Sequence, residues 1–248
     1  IINMKISVRN KMQNLFITAT DTDAGKTFVA CALIHALVKY QYKVSAYKPI
    51  AAGCQQVEGL LVNEDAKLLS EFANCKQTIG EVNPIALIEA IAPHIAAAMI
   101  NRTISIEDVT QGFDNVLSLH ADINITEGAG GWRLPLSITS PTATFLSDFA
   151  IKTKQDVILV VNMKLGCLNH ALLTYQAIIA DGLNCIAWVA NNASEQPMPN
   201  LSENIASLEQ LLPMPKIAQF GFYPSVDMSL HDKICAAASE IDLTTLFI

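Results

Sequence analysis

The chain is poor in charge. Only 16% of its 248 residues are Asp, Glu, Lys or Arg, and the basic ones are outnumbered 16 to 23, for a net charge of −7. A surface built to hold nucleic acid or an anionic membrane needs a basic field, which this balance does not supply. A nucleotide is not excluded, because its phosphates need only a local cluster of positive charge. The six cysteines (Cys31, Cys54, Cys75, Cys167, Cys185 and Cys235) include no CxxC or CxxH pair. Their spacing therefore offers no metal site, and Cys31, Cys185 and Cys235 fall in apolar segments where a buried thiol is the default. This usage suits a reducing cytosol, so the expected location is cytoplasmic. No apolar run approaches the roughly 20 residues of a membrane span. Residues 1–11 carry Lys5, Arg9 and Lys11 but no apolar core of a signal peptide. They read as a disordered or expression-derived extension, with the domain covering 12–248. No internal repeat, low-complexity tract or linker stands out.

What the chain has in quantity is hydrophobic residues, 51% of the total, enough for one large α/β core. Apolar segments of two kinds alternate. Short β-rich runs occupy 15–18, 43–47, 121–126, 157–161, 185–190 and about 217–222, and helical stretches lie near 27–40, 62–73, 105–119, 142–154, 169–181 and 202–212. Strands separated by helices of that length join through right-handed crossovers into a parallel sheet. The 157–161 run is apolar without alternation, as in a strand covered on both faces. The expected fold is a single α/β domain around a doubly wound, mostly parallel sheet. In such sheets ligands gather beyond the carboxyl ends of the strands.

The first strand runs directly into Ala19-Thr20-Asp21-Thr22-Asp23-Ala24-Gly25-Lys26-Thr27, and a helix follows. Strand, tight polar loop and helix N-terminus make a polyphosphate cradle of the P-loop NTPase kind. Backbone N–H groups and the helix dipole face the anion, Lys26 adds a mobile positive charge, and the Thr27 hydroxyl is placed to hold Mg²⁺. A nucleoside-triphosphate site is expected here.

Other strands end on the same rim. Lys48 follows the second strand, and Pro49 fixes the turn after it. It is either a solvated strand-end lysine or a second cation facing the γ-phosphate, where developing charge has to be neutralised. Glu127 follows the 121–126 strand and precedes Gly128-Ala129-Gly130-Gly131. An acidic residue there can bind Mg²⁺, and small neighbours admit a ligand close to the backbone; a plain turn is the alternative. Asp65 can serve the metal or simply the first turn of its helix. His94 reads as packing or solvated, and Asn169 beside His170 is a ligand-loop residue or an N-cap. Lys26 and Lys48 are both expected on a solvent-facing rim, so that Ala at either abolishes turnover and leaves the fold intact.

These segments together resemble the dethiobiotin synthetase family. The resemblance is carried by residues 20–27, Tyr47-Lys48-Pro49, Asn63-Glu64-Asp65-Ala66, Pro93-His94-Ile95-Ala96-Ala97, Glu127-Gly128-Ala129-Gly130-Gly131-Trp132, Lys164-Leu165-Gly166-Cys167-Leu168-Asn169-His170 and Trp188-Val189-Ala190-Asn191. It implies ATP- and Mg²⁺-dependent carboxylation of 7,8-diaminopelargonic acid with CO₂ or bicarbonate, followed by ring closure. By resemblance, Thr27, Asp65 and Glu127 would hold Mg²⁺, and Lys26, Lys48 and Thr22 would act at the γ-phosphate and carbamate. Asp23, Ala24, Gly25, Lys26, Thr27 and Phe28 would wrap the nucleotide. Gly128, Ala129 and Gly130 would line it, with Asn191, Asn192, Gly221, Phe222 and Tyr223 near its base. Ala52, Leu165, Gly166 and Asn169 would meet the substrate. The family works as a homodimer, so Leu165, Gly166 and Asn169 would reach the substrate from the other subunit.

The chain departs from the family pattern at four places. Ala19 stands for a usual Gly, which requires a negative φ there; Ala52 stands for a hydroxyl residue; Asn192 stands for a frequent Asp. Ala218-Gln219-Phe220-Gly221 replaces Gly-x-Ile-Pro. Two other functions are open to such a fold. A cobyrinic acid a,c-diamide synthase-like amidoligase usually carries an appended glutaminase domain, for which this chain is too short. A partitioning switch ATPase of the ParA/MinD kind carries a signature lysine at the position of Asp21.

Overall fold

The computed structural model describes residues 12–138, 142–196, 198–223 and 228–246. The extension expected at 1–11 lies outside them. In chain order the elements are β1 (Gln13–Ala19), α1 (Lys26–Lys39), β2 (Val44–Tyr47), β3 (Ile50–Ala51), β4 (Gln55–Val57), β5 (Leu60–Val62), α2 (Glu64–Phe72), α3 (Ile79–Val82), β6 (Ile85–Ala86), α4 (Pro93–Met99) and α5 (Ile106–Leu117). There follow β7 (Ile123–Glu127), β8 (Pro135–Ser137), β9 (Thr144–Phe145), α6 (Leu146–Thr153), β10 (Asp156–Asn162), α7 (Cys167–Ala180), β11 (Cys185–Asn191), α8 (Leu201–Leu211), β12 (Lys216–Phe220) and α9 (Leu230–Ala238).

Six strands form one sheet in the order β12-β11-β10-β1-β7-β2, with every pairing parallel. The apolar alternation inside each strand feeds two cores. On β1, Leu15 and Ile17 join the layer under α1, α2 and α9, while Phe16 joins the opposite layer with Phe113, Phe149 and Trp188. On β10, Ile158 and Val160 face the first layer and Val157, Leu159 and Val161 the second, which is why that strand reads as an unbroken apolar run. Near the amino ends of β2, β7 and β1 a polar row, buried at Ser45 and Asn124 and half-buried at Asn14, crosses the sheet: Ser45 Oγ donates to Asn124 Oδ1, and Asn124 Nδ2 donates to Asn14 Oδ1 at 2.8 Å. Each side chain satisfies the next, which keeps the row compatible with burial.

The six expected strands and six expected helices are present, with ends shifted by up to four residues. Glu127 proves to be the last residue of β7 rather than the residue after it. The short two-stranded ladders β3–β6, β4–β5 and β8–β9, the single-turn α3 and helices α4 and α9 add to the expected set. Ladders of two or three residue pairs are too short to show alternation in sequence.

Candidate active site

The phosphate loop leaves β1 at Ala19, and its geometry depends on two left-handed residues. Asp23 has φ 55° and Gly25 φ 80°, whereas Ala19 is not in the positive-φ region. The usual glycine is therefore dispensable at position 19. Gly25 is the N-cap of α1 and offers no side chain to the first turn, whose N–H groups are left without a side-chain cap where Gly25, Lys26 and Thr27 line the cavity. A Cβ on Gly25 would lie 2.2 Å from Asn191 Nδ2. That amide donates to the Ala24 carbonyl at 2.7 Å, tying the end of β11 to the loop.

Three elements bring charge to the carboxyl end of the sheet. Lys26 opens α1 and Lys48 follows β2. Register alignment pairs Ile17 of β1 with Glu127 at the end of β7. The Lys48 ammonium lies 2.6 Å from Glu127 Oε1 and 2.9 Å from Asp65 Oδ2. Thr27 Oγ1 donates to the same Glu127 oxygen at 2.8 Å, while Glu127 Oε2 is buried with no hydrogen-bond partner. Lys26, Lys48, Thr22, Asp23, Gly25, Thr27, Asp65, Glu127, Ala129, Gly130 and Ala52 all line one cavity of about 950 Å³. Its lining also includes the apolar Ile50, Ala51, Ile91, Pro93 and Leu134.

The expected solvent-facing rim is corrected by burial. Lys26 is 8% exposed, Lys48 5% and Glu127 1%. The end of α3 and the residue after it are tied to the backbone of Lys48. Lys48 N–H donates to the Val82 carbonyl at 2.8 Å, and Asn83 Nδ2 donates to the Lys48 carbonyl at 2.7 Å. Burial by itself pushes the Lys48 ammonium down. Glu127 and Asp65 more than reverse it, so the group is held above the usual lysine value. Burial also pushes the Lys26 ammonium down, and Glu127 only partly restores it. Among the described residues, the Lys26 ammonium donates to the Asp21 carbonyl alone, at 3.4 Å. A polyanion would relieve that deficit.

Asp65 sits in the first turn of α2. The helix is capped by Asn63, whose Oδ1 accepts from Ala66 N–H at 3.3 Å and whose Nδ2 donates to the Ala52 carbonyl at 3.4 Å. Asn63 belongs to a recognisable motif, but Asn83 had no local signal: its role exists only because α3 folds back onto the strand end.

Not every candidate reaches the cavity. Gly128 does not line it; a Cβ there would meet Phe16 at 2.9 Å, so the glycine allows β7 to pack. Phe28, Asn191, Asn192, Gly221, Phe222 and Tyr223 line a separate neighbouring pocket. Leu165, Gly166 and Asn169 lie outside both, at the start of α7, where Leu165 is 94% exposed. This segment is nevertheless tied to the phosphate loop. Lys164 pairs with Asp21 at 2.8 Å, and Asn162 N–H donates to Thr20 Oγ1 at 3.3 Å. The Lys164 ammonium holds the Asp21 carboxyl below its ordinary range. Position 21 is thus occupied by an acid committed to its own fold, not by a switch lysine.

A Mg²⁺ ion fits the donor set. Thr27 Oγ1, Asp65 and Glu127 supply hard oxygen ligands, and the unpaired Glu127 Oε2 is a buried acceptor in need of a partner. Among the described residues no three His, Cys, Asp or Glu side chains converge as a metal-holding group. An ion here would take part of its shell from Thr27 and from phosphate.

A parallel sheet with this loop between β1 and α1 defines a P-loop NTPase. A family profile described as an AAA domain matches residues 13–228. The ATP-dependent dethiobiotin synthetase BioD of Alteromonas mediterranea is 46% identical over 222 residues, 87% of this chain and 95% of its own. The same enzyme of Cellvibrio japonicus is 46% identical over 231 residues, 93% of this chain and 96% of its own. The chain belongs to the dethiobiotin synthetase family. The MinD cell division protein of Aquifex aeolicus shares the fold, with TM-score 0.54 and 13% identity over 94% of this chain and 95% of its own.

Proposed function

We propose that this protein forms dethiobiotin in an ATP-dependent reaction, joining CO₂ to 7,8-diaminopelargonate and closing the ureido ring. The observation that carries this reading is the composition of one cavity, lined by two buried lysines and two carboxylates together with apolar side chains. The charged lining suits a triphosphate, and the apolar lining suits the methylene chain of a diamino acid.

The chemistry asks for activation. One amine of the substrate takes up CO₂ as a carbamate, losing a proton. A carbamate oxygen attacks the γ-phosphorus of ATP, ADP leaves, and a carbamic–phosphoric anhydride results. The second amine attacks the carbonyl carbon, the C–O bond to phosphate breaks, and phosphate departs as the ring closes. Lys26 and Lys48 would hold the γ-phosphate and carbamate oxygens, and Thr22 would border the same centre. Residues 23–28 with Ala129 and Gly130 would position the nucleotide. Thr27, Asp65 and Glu127 would hold Mg²⁺, which when bound neutralises charge on the phosphates. Keeping both amines of one molecule in place makes ring closure intramolecular, an advantage of several kcal/mol, up to about 10.

The exposed Leu165, Gly166 and Asn169 would serve the cavity of a second copy in a homodimer. Support comes from the apolar surface around them, where Leu165 is 94% and Leu173 57% exposed. A single synthetase domain over residues 12–248 and a cytoplasmic location complete the reading. All six cysteines are free thiols, and no helix among the described residues is long and apolar enough to cross a membrane.

The test is direct. Protein supplied with ATP, Mg²⁺, bicarbonate and the diamine should yield ADP and a product of dethiobiotin mass in equal amounts. ATP hydrolysis indifferent to the diamine would overturn the reading and favour a switch ATPase.

A further inference from the structure

Helix α9 carries a cation that the phosphate chemistry does not use. The second pocket, about 230 Å³, shares Gly25 and Ala193 with the larger cavity and is lined among others by Phe28, Asn191, Asn192, Tyr223 and Lys233. Lys233 is only 9% exposed. Among the described residues its ammonium has no hydrogen-bond or ion-pair partner. The neighbouring Asp232 is engaged by Ser229, whose Oγ donates to Asp232 Oδ2 at 2.7 Å and accepts from Asp232 N–H at 3.1 Å. The stem of Lys233 is buried, and the pocket it lines is where an acceptor for its ammonium can be supplied.

The rest of the pocket states what kind of acceptor fits. Phe28 packs against Tyr223 at 5.5 Å and Phe220 at 5.7 Å, giving the pocket an aromatic side. Asn191 spends its Nδ2 on the Ala24 carbonyl, so the group it has left is the acceptor Oδ1. Asn192 Oδ1 accepts from Ser194 Oγ at 3.4 Å, leaving its amide as donor. A flat ring carrying one amine donor and several ring acceptors matches this inventory. An ammonium has three donors and no acceptor, so it can meet only the ring acceptors, while Asn191 Oδ1 can accept from the amine.

We propose that Lys233 is a base-recognition residue, its ammonium donating to a ring acceptor of the nucleobase whose phosphates lie on the phosphate loop. The proposal rests on the triphosphate reading of the larger cavity. It assigns nucleotide affinity and selectivity, beyond the phosphates, to a residue of α9 that takes no part in phosphoryl transfer.

The experiment is calorimetric binding of Mg·ATP and of inorganic tripolyphosphate to the full chain and to Lys233→Met and Lys233→Arg. Loss of a charge-assisted hydrogen bond should weaken ATP binding roughly 10- to 100-fold in Lys233→Met. Tripolyphosphate binding should stay within about twofold, since it has no base to lose. Lys233→Arg, which keeps a donor, should recover much of the loss. The melting temperature of ligand-free Lys233→Met should stay within a few degrees of the wild type, because methionine keeps the buried stem and no ion pair among the described residues is lost. A merely structural lysine would lower it. Unchanged ATP affinity, or ATP and tripolyphosphate weakening together, overturns the proposal. Wild-type protein that binds neither ligand removes the triphosphate reading along with it.

Discussion

Lys48→Met is expected to lose turnover and stability together. The ammonium lies 2.6 Å from a carboxylate that is itself 1% exposed, so its removal strands Glu127 as a buried, uncompensated charge. Breaking such a pair from one side costs about 3–5 kcal/mol. Asp65 contributes less, because its side chain is 47% exposed and water screens it. If the same ammonium meets the γ-phosphate and carbamate, kcat should fall about 10²- to 10³-fold as well, the usual loss of a preorganised charge stabiliser. The two effects separate in a second variant. Lys48→Met with Glu127→Gln removes the stranded charge, so stability should largely return while turnover does not. The pH dependence has a definite sign. The folded-state pKa of Lys48 lies above its ordinary value, so its stabilisation is fully present below that value and lost only as pH rises through the raised one. The stability gap between wild type and Lys48→Met should therefore hold nearly constant from about pH 6 to about pH 9. Urea unfolding and steady-state rates measure both. A Lys48→Met protein as stable and as active as wild type would refute the role assigned to this ion pair.

Gly25→Ala is expected to be nearly as damaging, for a different reason. The backbone at φ 80° is open to glycine but costs a residue with a Cβ about 1–2 kcal/mol. The new methyl would also lie 2.2 Å from Asn191 Nδ2, so that side chain has to leave the Ala24 carbonyl. A buried carbonyl left without its donor adds about 1–3 kcal/mol. Both losses fall on the loop that lines the cavity, so ATP binding should weaken about 10²-fold or more. Gly80→Ala is the control: nothing lies within 4 Å of its Cβ position and its φ is not positive. It should stay within about 0.5 kcal/mol of wild type. Equal ATP affinity in Gly25→Ala and wild type would contradict the cradle geometry.

What the sequence displayed and what it hid follow from how local each feature is. The phosphate loop was legible because strand, glycine, lysine and threonine stand together in nine consecutive residues. Lys48, Asp65 and Glu127 were legible as strand-end or helix-start residues, and the folded chain places all three around one cavity. The burial of both lysines was not legible. A strand end implies a rim, yet both side chains are buried in the folded chain, and Asn83 holds the Lys48 carbonyl from 35 positions further on. Gly128 looked like a ligand-facing glycine because its neighbours are, yet only the packed sheet reveals Phe16 beneath it. Lys233 was invisible for a related reason. Nothing in Leu230-His231-Asp232-Lys233 marks a pocket residue until α9 folds against α1 and meets the ends of β11 and β12.

In the proposed reaction Lys26 and Lys48 share one terminal phosphate with a Mg²⁺-holding set of Thr27, Asp65 and Glu127. A crystal structure with Mg²⁺ and a non-hydrolysable ATP analogue tests it most directly. The γ-phosphate oxygens should lie within roughly 3 Å of both lysine nitrogens, with the metal on Thr27 and at least one carboxylate. A triphosphate bound elsewhere, or a Lys48 that stays locked to Glu127 and Asp65 and never touches phosphate, would contradict it.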